Sequence, residues 1–107
     1  MAMIITLSPQ MHSPFPPLVL SKAGDALTIN GQVYDFTPLV DGGMLPSKAI
    51  GSEYILYDVK RVTGQVELTL LFPIPEGASE HMRYPDILIP GDGPVVLPQL
   101  ELEVEND

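Results

Sequence analysis

The sequence predicts an all-β fold in which antiparallel hairpins form a meander and build a small sandwich or an open barrel. Twelve Pro and nine Gly are spread over 107 residues, and Pro inside a helix costs about 3 kcal/mol, so at most one short helical turn is expected. Hydrophobic residues make up 45% of the chain, enough for the core of one domain. Two X-Gly pairs stand between runs of alternating apolar residues, which is typical of tight β-hairpins.

The first elements are a short strand at residues 3–7 and a hairpin around Asn30 and Gly31. These two residues tolerate the positive φ that both central positions of a type I′ turn require. The turn predicts a register in which Leu27 lies opposite Tyr34. Alternation along the strands then gives one apolar face, formed by Leu18, Leu20, Leu27, Ile29, Tyr34 and Phe36.

The turn before this hairpin is placed at Ala23 and Gly24. A two-residue or four-residue loop there pairs Leu20 with Leu27 and sets Lys22 opposite Asp25 as an exposed ion pair. The Cβ of Ala23 disfavours positive φ. A three-residue loop with a bulge at Gly24, which would shift the pairing by one residue, therefore stays open as the alternative.

A second hairpin is predicted over residues 53–72, with Thr63 and Gly64 at its tip. Counting outward from the tip extends the pairing to Ile55 and Phe72, and one face of the hairpin is almost wholly apolar. Arg61 is the misfit on that face. We expect either a bulge beside it or a side chain that reaches past the rim of the sheet.

The remaining segments are short or irregular. One helical turn is expected at residues 45–51, begun by Pro46 and ended by Gly51. Residues 73–94 read as loops, broken by the segment at 84–89, and residues 94–98 as a brief edge strand at most. These elements place a single β domain at residues 1–98.

An acidic C-terminal tail is predicted at residues 99–107. It alternates Leu100, Leu102 and Val104 with glutamates. We interpret it as a flexible, solvated arm. The alternative is a strand that pairs only when a partner offers a sheet edge.

The charge balance excludes several classes of partner. Five Lys and Arg against fourteen Asp and Glu give a formal net charge of −9, which repels nucleic acids and anionic membranes. The cations are scattered and form no basic stripe. No apolar run approaches the roughly 20 residues that cross a bilayer, and no basic segment opens the chain. We expect a protein of the cytoplasm that binds neither nucleic acid nor membrane.

Residues able to carry chemistry are few. The absence of Cys removes thiol catalysis, Fe–S clusters and thiolate zinc sites. His12 has no other metal ligand nearby, whereas His81 lies near Glu76, Glu80 and Asp86, which a weak divalent-metal cluster would need. We interpret these residues as solvated loop charges and expect no catalysis, no cofactor and no metal. A hydrolase that uses His81 with a carboxylate is the least favoured alternative.

The tyrosines offer the one alternative based on binding. Tyr54, Tyr57 and Tyr84 could line the pocket of a small-ligand or glycan-binding β module. Aromatic residues in a small β domain are more often part of the core and its rim, and the chain has no Trp to stack on a sugar. The three residues are retained as candidate binding residues.

Several short motifs together resemble a known family. The chain reads MIITLSP at 3–9, SKAGDALTING at 21–31 and YDF at 34–36, followed by LP, AIGS, VTG, LTL, RYP and DGPV. In this order they resemble small uncharacterised proteins encoded in the tail-gene region of tailed phages and bacterial prophages. Departures are the first two residues, a Pro-rich insertion at 11–17, Thr63 where relatives often have Asp, and the acidic tail.

The resemblance implies a non-enzymatic phage or prophage protein that acts through protein–protein contacts, as a minor virion component or a tail-assembly accessory. It implies partners among other tail proteins, and a place in the host cytoplasm or in the virion. Short strands with apolar faces in so small a domain also predict self-association, because a thin sheet has trouble covering both faces alone. We therefore expect a homo-oligomer.

Overall fold

The computed structural model describes residues 3–11 and 16–98, and within them the chain forms eight strands and two short helices. The strands are β1 (Met3–Met11), β2 (Leu20–Ala23), β3 (Ala26–Ile29), β4 (Gln32–Asp35), β5 (Met44–Leu45), β6 (Val59–Val62), β7 (Gln65–Ile74) and β8 (Gly93–Pro94). The helices are α1 (Ser47–Ile50) and α2 (Glu80–Arg83). The predictions for residues 1–2, for His12 and for the tail at 99–107 concern positions outside the described residues.

The strands form two four-stranded sheets. The first has the order β1-β7-β6-β5 and the second the order β4-β3-β2-β8. All neighbours are antiparallel except β1 and β7, which run parallel along the whole of β1. The all-β prediction is confirmed as a small sandwich, and neither sheet of the described chain closes into a barrel.

One core lies between the two sheets. Side chains that face inward from both sheets are excluded from solvent, and the largest fully buried ones are Met3, Ile5, Leu27, Val59, Val66 and Leu70. Burying a side chain of this size contributes roughly 1.5–3 kcal/mol. The core therefore supplies the main force that holds the sheets face to face.

The hairpin at Asn30 and Gly31 is confirmed. Both residues have positive φ, 48° and 87°, as a type I′ turn requires, and Leu27 pairs with Tyr34. The predicted apolar face is the buried face of this sheet. Tyr34 is its half-buried member, packed against the edge of the core.

Both registers predicted for the pairing of β2 with β3 are wrong. The turn is centred on Gly24 and Asp25, so Ala23 pairs with Ala26 and Leu20 pairs with Ile29. The reason is that Gly24 takes the positive φ, 60°, at the first central position, as in a type II′ turn. Lys22 therefore does not lie opposite Asp25 and faces the core.

The second hairpin is confirmed near its tip and wrong further out. Arg61 pairs with Val66 as predicted, but Ile55 bridges Leu70 instead of Phe72. The six residues from Ile55 to Lys60 face only four on β7, from Glu67 to Leu70. The irregularity therefore lies around Tyr57, whose side chain is exposed.

The expectation of at most one helical turn is wrong. Helix α1 follows Pro46 and ends at Gly51, whose φ is 78°, as predicted. Helix α2 was not predicted, because a single turn between Pro75 and Pro85 is too short to show helical periodicity. Its buried residue, Met82, anchors it to the core.

Each sheet has one edge strand of only two residues, β5 in the first sheet and β8 in the second. Strand β8 has two residues, and the Val95 amide continues its pairing by donating to the carbonyl oxygen of Leu20 at 3.0 Å. The predicted edge strand at 94–98 thus exists mainly at its first residue. On the first sheet, Leu88 bridges the outer edge of β1 at Ile5.

Candidate functional site

The three candidate tyrosines lie in different environments and form no common pocket. Tyr54 is buried, and its hydroxyl donates to the Pro16 carbonyl oxygen at 3.1 Å and accepts from Asn30 Nδ2 at 3.0 Å. Tyr57 and Tyr84 are 67% and 75% exposed. Tyr57 lines a surface depression in which neither of the other two takes part. The glycan-binding alternative therefore lacks its set of aromatic residues.

The depression beside Tyr57 lies on the outer face of the first sheet and has a volume of about 490 Å³. The strand register sets Ile4, Glu67 and Lys60 in one row across β1, β7 and β6. Tyr57 and Ile87 add apolar surface to it. The depression is open, whereas small-molecule sites enclose most of the ligand. It is better suited to contact with a macromolecule.

A second depression, of about 290 Å³, is lined by segments 88–91 and 94–96. Ile87 lines the first depression, and Ile89 lines the second together with Val96. Residues two apart in an extended segment point to the same side. We call the four exposed side chains that line these two depressions, Tyr57, Ile87, Ile89 and Val96, the apolar band.

The apolar band was not predicted from the sequence, apart from Tyr57. Ile87 and Ile89 alternate in a stretch bounded by Pro85 and Pro90, a pattern that indicates a short strand with one apolar face. The bridge between Ile5 and Leu88 bears out that pattern. The sequence indicates segment 84–89 as a break in the loops, but it does not show that the two isoleucine side chains are exposed.

Arg61 is the centre of a buried polar cluster. Its Nη2 donates to Asp25 Oδ2 at 3.0 Å and to the Phe36 carbonyl oxygen at 2.9 Å, its Nη1 donates to the Gly64 carbonyl oxygen at 3.2 Å, and its Nε donates to that of Leu39. The bulge predicted beside Arg61 lies on the neighbouring strand, where Gly42 and Gly43 both face Arg61: the Gly42 amide donates to the Arg61 carbonyl oxygen at 2.8 Å, and the Arg61 amide donates to that of Gly43 at 3.2 Å. The alternative, a side chain that reaches past the rim, is wrong, because Arg61 is buried. The guanidinium instead connects β6 of the first sheet to the β2–β3 turn of the second.

Lys22 is the second buried cation. Its Nζ donates to Asp92 Oδ1 at 2.9 Å, and the same oxygen accepts the Gly24 amide at 3.0 Å. These two bonds hold the loop before β8 against the β2–β3 turn. The hydrogen bond from Lys22 and, to a smaller extent, the one from the Gly24 amide lower the pKa of the Asp92 carboxyl below its ordinary value of 3.8.

Asn30 and Tyr54 hold the segment that enters the second sheet. Asn30 Oδ1 accepts the Val19 amide at 2.6 Å, and its Nδ2 donates to the Pro17 carbonyl oxygen at 3.1 Å. Burial, reinforced by the charge of Glu53, raises the pKa of the Tyr54 hydroxyl above 10.0. This tyrosine therefore stays neutral and has a structural role.

The acidic residues around His81 do not converge. Among residues 3–11 and 16–98, no three His, Cys, Asp or Glu side chains lie close enough together to hold a metal ion. Glu76, Glu80 and Asp86 are thus not gathered into the cluster that the sequence left open.

In the same described ranges, the helices are too short to cross a membrane. Comparison with known proteins finds no matching family model, no matching curated protein and no matching solved structure. The phage resemblance stays a prediction that rests on the motifs quoted above.

Proposed function

We propose that this chain is a non-enzymatic tail-region protein of a phage or prophage that acts through protein–protein contacts. It serves as a minor component of the particle or as an accessory of tail assembly. The motif resemblance supports the phage setting. The observation that carries action by contact is the apolar band, because its four large apolar side chains are exposed beside two surface depressions, and exposed apolar patches mark interaction surfaces.

The charge distribution supports proteins as the partners. Two of the five cations, Lys22 and Arg61, are buried against Asp92 and Asp25, so few cations face solvent on a chain of net charge −9. Such a surface disfavours nucleic acids and anionic lipids. The partners we propose are other tail proteins and further copies of this chain, met in the host cytoplasm or in the virion.

The test is deletion of the gene from an inducible prophage, followed by counting infectious particles and analysing purified particles by mass spectrometry. We expect fewer infectious particles, restored by the wild-type gene and not by Ile87→Ser/Ile89→Ser. The matched control Val33→Ser/Val40→Ser removes two exposed apolar side chains outside the apolar band and should restore assembly. Detection of the chain in the particle distinguishes a virion component from an assembly accessory.

Normal particle yield and infectivity without the gene would contradict the proposed function. A glycan that binds the purified protein and shifts NMR signals only around Tyr57 would favour the ligand-binding alternative instead.

A further inference from the structure

We propose that residues 99–107 of one copy dock as a β-strand on the apolar band of a second copy. This inference rests on the proposed function and names one partner, a second copy of the chain, together with the segment that binds it.

The apolar residues that pack against the core just before Pro98 occupy odd-numbered positions, whereas those of the tail after Pro98 occupy even-numbered positions. Val95 and Leu97 pack against the core, while Val96 between them is 84% exposed. In an extended chain Leu100, Leu102 and Val104 share the side of Val96, and the intervening glutamates share the side of the core. A core does not accept unpaired carboxylates. The apolar face of the tail therefore stays uncovered if the chain continues along its own sheet.

The tail is also long enough to leave its own sheet. Nine residues follow Pro98, and an extended segment of that length spans roughly 30 Å. Residues 99–105 contain no Gly, Asn or Asp, the residues that favour a tight reversal. This composition favours a course away from the parent molecule, toward a second copy.

The apolar band offers the tail both side-chain and main-chain partners. Leu88 uses its amide and its carbonyl toward Ile5, at 2.8 and 2.9 Å. By strand alternation, the main-chain groups of Ile87 and Ile89 point to the opposite side, where an added strand can pair. The exposed side chains of Ile87 and Ile89 are spaced by two residues, as are the apolar residues of the tail.

Reciprocal docking closes a two-fold dimer, since each copy has one tail and one apolar band. The tail contains four acidic residues and no cation, and the chain has a net charge of −9, so the copies repel each other at low salt. Salt screens that repulsion and leaves the apolar contact. Dimerisation should therefore strengthen with salt, whereas a contact held by ion pairs would weaken.

The experiment is light scattering and sedimentation equilibrium on the full-length chain. We expect a dimer that grows with protein and salt concentration. Leu100→Ser/Leu102→Ser/Val104→Ser should weaken dimerisation by more than about tenfold, because three apolar side chains leave the contact. The matched control Glu101→Gln/Glu103→Gln/Glu105→Gln should dimerise at least as well as the wild type. Circular dichroism checks that each variant keeps its fold.

A mixing experiment tests docking between copies. Ile87→Ser/Ile89→Ser keeps an intact tail, and the triple serine variant at Leu100, Leu102 and Val104 keeps an intact apolar band. Each should be monomeric alone, and the mixture should form a heterodimer through one docked tail.

A mixture that stays monomeric, or a wild type that is monomeric at all concentrations, would overturn the proposal. The proposal would also be overturned if Leu100→Ser/Leu102→Ser/Val104→Ser dimerised like the wild type. Any of these results would refute docking of the tail, but the proposed function would still stand if particle assembly needs the gene. Normal assembly without the gene would defeat the proposed function, whatever mass the protein has in solution.

Discussion

At the residue scale, the two buried cations have the greatest structural consequence. Arg61 and Lys22 each lie on an apolar strand face, where an unpaired charge would be very costly. Each is satisfied by an aspartate far away in the sequence, 36 residues for Arg61 and 70 for Lys22. The misfit of Arg61 was visible in the sequence, but its partner was not, because separations of this size leave no local pattern.

Arg61→Met should destabilise the protein by about 3–5 kcal/mol, because it leaves the carboxylate of Asp25 and three carbonyl oxygens without their donor. Urea unfolding measures the change. Lys60→Met, on the exposed face of the same strand, is the matched control and should stay within about 0.5 kcal/mol. An Arg61→Met variant as stable as that control would refute the role given to the cluster.

The stability of the protein should fall in acid partly through Asp92. Its pKa is lowered in the folded state, so its contribution is present above the ordinary value of 3.8 and disappears as the pH falls through that value toward the folded pKa. Thermal melting of Asp92→Asn should therefore depend less on pH below about pH 5 than melting of the wild type. Asp86→Asn, an exposed aspartate, controls for the lost charge. Parallel pH profiles for Asp92→Asn and the wild type would contradict the role of the Lys22–Asp92 bond.

Among the strands and turns, the sequence predicts a hairpin where the turn residues tolerate positive φ. It does not predict strand pairings that depend on contacts between distant parts of the chain. Asn30 and Gly31 fix their hairpin locally. The parallel contact of β1 with β7 joins residues 63 apart, such as Met3 and Val66, and no turn connects them. Likewise, the alternation of the strand does not reveal that Ile55 pairs with Leu70 instead of Phe72.

Thr63 is strained at the tip of the second hairpin. It has φ of 50°, which costs a β-branched residue about 1–2 kcal/mol. Thr63→Asn should therefore stabilise the protein by about 1 kcal/mol, measured by urea unfolding, because Asn tolerates this conformation. Thr63→Val keeps the β-branch and should give no gain. Equal stability of the Asn and Val variants would show that the backbone at this turn is not strained.

At the scale of the whole molecule, the two sheets bury one core and leave the apolar band on the surface. The sandwich could be predicted from strand alternation and turns, because burial of one face is a local property of each strand. The candidate site could be predicted only at Tyr57. Its other members become neighbours only when Leu88 bridges Ile5, a contact across the fold.

If a second copy covers the apolar band, the main chain beneath it becomes protected when the protein associates. Hydrogen–deuterium exchange of the full-length protein at increasing concentration measures this protection. We expect the amides of segment 84–90 to exchange more slowly as the concentration rises, while those of β4, an edge of the second sheet, do not change. Exchange at 84–90 that is independent of concentration, or protection at β4 instead, would contradict a second copy covering the apolar band.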